Sequence, residues 1–257
     1  MSEQNVDKKT KTAEVTEAST WKGLIVQPVV LAILLGIMFW WLKTADLSAT
    51  EQVTLDPKSL WELTVEHLKL TVIPAIIVLA TAIPVGVLLT RKPFRFLTAP
   101  VMALANVGQA APMVGLIVLF AMWLGFGPVA AMATLVVYAF LPVLKNTMVG
   151  LDAVDKRTIE AARGMGMSPM TVLRKVELPL AVPVMLAGIR TALILLVGSA
   201  TLATFINGGG LGLLITTGVN LALDRVLIFG SILVAIFALV VDWLARVIEF
   251  TVTPKGL

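Results

Sequence analysis

The chain has 257 residues, 58% of them hydrophobic and 14% charged, with no cysteine and a formal net charge of +4. A water-soluble domain is about 45–50% apolar and about 25% charged, so this apolar surplus has no place in an aqueous fold of this size. The missing cysteine excludes a disulfide framework, a thiolate metal site and a cysteine nucleophile. The mild basic balance is that of loops flanking a membrane and gives no ground for a nucleic-acid partner.

Residues 1–20 are polar and mixed in charge, with Lys8, Lys9 and Lys11 set against Glu3, Asp7, Glu14 and Glu17. They lack the apolar centre of a secretory signal and are expected to form a disordered tail. A first apolar span is predicted over residues 23–42 and a second over 70–90. Residues 96–144 carry no charged residue and no histidine, and residues 191–223 form another such run. About 18 or more uncharged apolar residues suffice for a membrane span, because about 20 cross a ~30 Å hydrocarbon layer. The first run is too long for one helix, and Gly125-Phe126-Gly127-Pro128 divides it into a span over 97–124 and another over 129–144. A fifth span is predicted over 184–206, stopped by Asn207-Gly208-Gly209-Gly210, and a sixth over 226–247. The glycine cluster either turns the chain or acts as the hinge of a gate. Asp242 and Arg246, at i and i+4, can pair on one helix face. His67, alone in the loop 43–67, is expected at the surface; no metal site is predicted.

Six spans put both termini on one side. With that side cytoplasmic, 16 of the 20 Lys and Arg residues lie inside, leaving Lys43, Lys58, Lys69 and Arg225 outside. The expectation is a multi-pass protein of a prokaryotic plasma (inner) membrane with both termini cytoplasmic.

The long loop from Lys145 to Pro183 has two short helices written in it. The first is N-capped by Asp152 or Asp155, runs through Glu160-Ala161-Ala162-Arg163 and stops at Gly164 or Gly166, where glycine can take the left-handed C′ conformation. The second opens with Ser168 as N-cap and Pro169 at the first helical position, and ends before Pro179. As a shape, this helix–glycine turn–helix fits a docking element, a DNA-binding unit or mere filler.

The residues themselves say more. Glu160-Ala161-Ala162, three residues, Gly166, nine residues, Val176, one residue, Leu178-Pro179 resembles the EAA loop of ABC importer permeases. Every fixed position is met, with Val176 where the family often has isoleucine. Glu160-Ala-Ala-Arg-Gly-Met-Gly-Met, Val176-Glu-Leu-Pro-Leu-Ala, Leu186-Ala-Gly-Ile-Arg-Thr-Ala and Asn207-Gly-Gly-Gly-Leu-Gly resemble, more narrowly, permeases for glycine betaine, choline, carnitine and related osmoprotectants. The likeness covers roughly residues 65–247 and leaves out the tail, the first span and the loop after it.

The resemblance implies an all-α polytopic membrane protein of about six transmembrane helices with the type I ABC importer permease (MetI-like) fold. It divides the chain into a tail (1–22), a first span with its outer loop (23–64), the permease domain (65–249, with the coupling loop at 150–180) and a C-terminal tail (250–257). Glu160, Ala161, Ala162, Gly166, Val176, Leu178 and Pro179 would form the loop that docks on the ATPase. Implied partners are a pair of ABC ATPase subunits, a second permease copy or a sister permease, an extracytoplasmic substrate-binding protein, and lipid. The solute would be a small osmoprotectant, or another small solute such as an amino acid.

The chain has no G-x-x-x-x-G-K-[ST] phosphate loop, so ATP and Mg would be bound by a separate subunit, with no cofactor and no catalysis here. Spans 2, 3 and 4 carry no ionisable residue, which speaks against a stand-alone carrier driven by a coupling ion. Candidate pore residues are Trp123, Tyr138 and Phe205, whose rings can hold a quaternary ammonium or simply pack, and Arg190, which faces the pore or snorkels to the inner interface.

Overall fold

The computed structural model describes residues 21–252, without the side chains of Trp21 and Lys22; residues 1–20 of the expected N-terminal tail and residues 253–257 lie outside the described part, and the last two residues of that expected tail, 21 and 22, already belong to the first helix. The described residues are almost wholly helical and include no strand. In chain order they form α1 (Trp21–Thr44), α2 (Ala49–Thr54), α3 (Pro57–Leu89), a 3-10 turn (Lys92–Leu97), α4 (Thr98–Ala110), α5 (Met113–Leu124) and α6 (Pro128–Asp152). There follow α7 (Lys156–Gly164), α8 (Pro169–Val172), a π-helical turn (Leu173–Glu177), α9 (Leu178–Ala200), a second 3-10 turn (Thr201–Ile206), α10 (Gly212–Asn220) and α11 (Asp224–Val252).

Among the described residues, five helical stretches are long and apolar enough to cross a membrane: Gly23–Thr44, Pro57–Leu89, Pro128–Asp152, Pro169–Ile206 and Asp224–Val252. The predicted third span is not one helix. It breaks at Ala111-Pro112 into α4 and α5, and the axes on either side of the break diverge by 102°. Pro112 has no N–H to donate and disfavours helical geometry in the residue before it. Ala111 accordingly sits at ψ 140°. The bent pair still connects the two ends of the bundle. Thr98 donates its hydroxyl to Leu89 O at the end of α3, and α5 packs beside Thr201–Ile206 at the far end of α9. Counted as one span, it gives six crossings.

The segment 43–67, expected as a loop, is mostly helical. Ser48 and Glu51 form a reciprocal capping box at α2, and the Asp56 carboxylate accepts from the Lys58 and Ser59 N–H groups to start α3. Because α3 begins so early, Leu60, His67, Leu70, Pro74 and Val78 fall on one buried face. His67 is therefore not at the surface. It is fully buried, edge-on to Phe237 of α11 with ring centroids 5.2 Å apart.

The bundle is organised around α6, which packs on α3 and α9 and carries the bent pair α4–α5 on a further side. Its contact faces are lined by small residues such as Ala130, Ala131, Ala139 and Gly150. Small residues allow the close helix approach that dispersion and packing need when lipid removes the hydrophobic drive. The first helix packs on α11, where Gln27 Nε2 donates to Leu239 O and Trp243 Nε1 to Leu24 O. Its other side exposes Ile25, Val29, Ile33, Ile37 and Trp40, as a lipid-facing helix does. Gly125 (φ 84°) and Gly127 (φ 130°) make the turn expected between the third and fourth spans. Asn207 (φ 59°), Gly209 and Gly210 end the fifth; the sequence assigned no helix beyond them, and α10 is built there. The Gly210 N–H donates to Glu66 Oε2 at 2.9 Å, fixing this turn to α3.

Candidate functional site

The loop between α6 and α9 is built by local signals that the sequence shows openly. Asp155, not Asp152, caps α7: its carboxylate accepts from Arg157 N–H at 3.0 Å, while Asp152 is the last residue of α6. At the other end of α7, Met167 N–H bonds Ala162 O and Gly166 N–H bonds Arg163 O. These are the two bonds of a Schellman motif, with Gly166 at C′ and φ +83°. Ser168 caps α8 by accepting from Thr171 N–H, with Pro169 in the first turn.

The second loop helix does not stop before Pro179 as expected. It passes through a π turn, in which Leu178 N–H donates to Leu173 O, and continues as α9. Pro179 falls in the first turn of α9, where a missing N–H is tolerated. The loop helix and the span are one continuous rod with a single irregular joint between α8 and α9.

Glu160 and Ala161 are exposed on α7 beside Arg157 and Arg163, whereas Ala162 is buried against the chain's own loop. Glu160 and Ala161 are thus exposed together with Met165 and Met170, while Ala162 is buried. Val176, Leu178 and Pro179 are half-buried at the joint itself.

The four pore candidates are not gathered into one place. Trp123 is 88% exposed on α5, at the rim of a cleft of about 320 Å³ lined by Leu116, Leu119, Phe120, Met122 and Trp123. Phe205 is also exposed, on the 3-10 turn that adjoins α5, and Tyr138 is half-buried on α6. Arg190 is bound elsewhere: its Nε lies 2.5 Å from Asp242 Oδ1, and Arg246 Nη2 lies 2.7 Å from Asp242 Oδ2. The pairing of Asp242 with Arg246 was legible at i, i+4; that Arg190 joins them depends on the packing of α9 on α11.

Sequence reasoning gave no role to Arg91 and Glu177. Glu177 ends the π turn, is buried, and its Oε2 lies 2.5 Å from Arg91 Nη2 just beyond α3. The signal available was a carboxylate directly before an apolar Leu-Pro helix start, a place where a charge needs a partner.

With that geometry in place, residues 82–254 match the family described as binding-protein-dependent transport system inner membrane component. The chain belongs to this family. It is 41% identical over 192 residues to the glycine betaine/carnitine/choline transport system permease protein OpuCB of Bacillus subtilis (strain 168), covering 75% of this chain and 88% of that one. It is 36% identical to the osmoprotectant import permease protein OsmW of Salmonella typhimurium, over 76% of this chain and 92% of the relative. Among solved structures, the MetNI methionine ABC transporter in an inward facing conformation superposes with a TM-score of 0.65 at 26% identity, over 76% of this chain and 96% of that chain. The fold is thus that of a MetI-type ABC importer permease, a multi-pass protein of inner-membrane type, and the family works with a substrate-binding protein and an ATPase.

Proposed function

We propose that this chain forms half of the membrane pore of an ATP-driven importer for a small quaternary-ammonium osmoprotectant of the glycine betaine, choline or carnitine type. The observation that carries this reading is the exposed Glu160–Ala161 face of α7, joined through the Gly166 turn to the helical rod that runs from α8 into α9. A small rigid helix of this kind can pass the closure of an ATPase into the spans as a rigid-body lever. The relatives named for these solutes supply the substrate class.

On this reading the α7–α8 loop and both termini are cytoplasmic, in keeping with the distribution of Lys and Arg. ATP and Mg bind to a separate ATPase pair, and this chain catalyses nothing. A second copy or a sister permease completes the pore, since each chain carries one docking loop and a closed symmetric pair is the simplest assembly. Recognition of the solute rests mainly with the extracytoplasmic binding protein, because the spans over residues 70–90, 97–124 and 129–144 carry no charged side chain with which to read a small ligand.

The test is reconstitution of the permease with its ATPase and binding protein in liposomes. Labelled glycine betaine, choline, carnitine and methionine are offered on the binding-protein side, with ATP on the other. ATP-dependent uptake of a quaternary ammonium is the expected result. Uptake of methionine alone would move the chain to an amino-acid importer, and uptake without ATPase or ATP would overturn the reading altogether.

A further inference from the structure

We infer that the Arg91–Glu177 ion pair is the joint through which movement of the coupling loop reaches α3. The inference rests on the importer reading above and deepens it by naming positioning residues that the loop motif does not contain.

The inner part of the bundle closes as a triangle at the loop end. On one side, Gly150 of α6 lies so near α9 that a Cβ there would stand 2.9 Å from Ala181 O. On the second, Gly86 of α3 faces α6, where a Cβ would stand 2.8 Å from Thr147 Cγ2. These two contacts have no slack, but they are steric and involve no charged side chain. The third side is a charged bond: Arg91 Nη2 to Glu177 Oε2 at 2.5 Å, with Arg91 Nε also donating to Val87 O at 3.3 Å. It joins the residues just beyond α3 to the one irregular turn in the rod that leads from α8 into α9.

Two features make this bond a transmitter rather than a surface ornament. Glu177 has a side chain only 5% exposed, so parting it from Arg91 leaves a buried carboxylate without its ion-pair partner. The π turn that presents it opens the helix by one residue, and π turns are commonly found where a helix must yield at a functional site. When α8 is displaced, the π turn is the softest element in the rod. A bond from its last residue to Arg91 makes α3 follow, instead of letting the turn absorb the motion.

The experiment compares the full importer carrying R91Q, E177Q or the exchange R91E/E177R with the unaltered protein. Three quantities are read: permease in the membrane, ATPase co-purified, and solute imported per ATP hydrolysed. The expected result is that each single variant keeps the ATPase but imports at least about fivefold less solute per ATP, the range of an ordinary coupling free energy. The exchange restores the ratio to within about twofold of the original. Unchanged import per ATP in the single variants, or an exchange no better than they are, overturns the inference. If the single variants do not accumulate, the exchange decides alone. An exchange that accumulates and couples supports the joint; one that fails in either respect overturns it. Failure of the unaltered permease to retain any ATPase would instead refute the importer reading.

Discussion

Gly188 of α9 lies directly over the Pro142 carbonyl of α6, where a Cβ would come within 2.7 Å of that oxygen, and the same oxygen accepts a hydrogen bond from Asn146 Nδ2 at 2.8 Å. The contact sets how closely the two helices at the centre of the bundle approach.

Gly188→Leu should therefore destabilise the fold by about 1–3 kcal/mol, the usual cost of forcing atoms into a filled interface. Gly36→Ala on α1, where a Cβ meets nothing within 4 Å, should leave stability level or slightly raised. Thermal unfolding of the detergent-solubilised protein distinguishes the two. Equal melting of both variants would show that α6 and α9 have room that the geometry denies.

Asp242 holds two arginines at once, Arg190 across the α9–α11 interface and Arg246 on its own helix. Asp242→Asn removes the only acid of the three and leaves the two cations facing each other. Breaking a fully buried pair costs about 3–5 kcal/mol; here both guanidinium groups are about a third exposed, which lowers the expected loss to about 2–3 kcal/mol. The same unfolding measurement applies, and a loss no larger than that of Arg246→Gln would show that Arg190 contributes nothing through Asp242.

Gly166→Val forces a β-branched side chain into φ +83°, at a place where a Cβ would meet no neighbour. The penalty is purely conformational, about 1–2 kcal/mol, and is confined to the loop. Membrane abundance should be normal while ATPase retention or uptake falls. Glu160→Lys should do the same by removing the acidic group from the exposed face of α7. Gly164→Ala, with open space and no left-handed backbone, is the control. Normal uptake in both Gly166→Val and Glu160→Lys would sink the assignment of this loop to ATPase coupling.

Glu51, outside the spans, receives the Ser48 backbone N–H at 2.8 Å; that bond, with the Ser48 hydroxyl and the Arg225 guanidinium, holds its carboxyl below the usual 4.5 although burial pushes the other way. A depressed folded-state value means that the contribution is complete above about 4.5 and is lost as pH falls through the lower folded value. Melting followed against pH should show an acid limb below 4.5 that Glu51→Gln flattens. Parallel curves for the two proteins would show that α2 is held without the charge.

Patterns that repeat within a few residues were legible in the sequence. The apolar runs gave the long helices because each buries or offers to lipid its own side chains. The loop helices followed from Ser168-Pro169 and the Gly166 turn, whose hydrogen bonds close within six residues. The break at Pro112 was also written locally, but the uncharged stretch masked it, since hydropathy does not register a missing N–H. Tertiary structure alone decided the rest. His67 reads as a loop residue until α3 is seen to begin at Pro57 and to lie against Phe237. Arg190 shows its ion-pair partner, Asp242, only once α9 is set beside α11. Arg91 and Glu177, 86 positions apart, pair only because α6 brings α3 and α9 together at one end. A charge in a sequence announces that it needs a partner; which partner it finds depends on how helices distant in sequence pack.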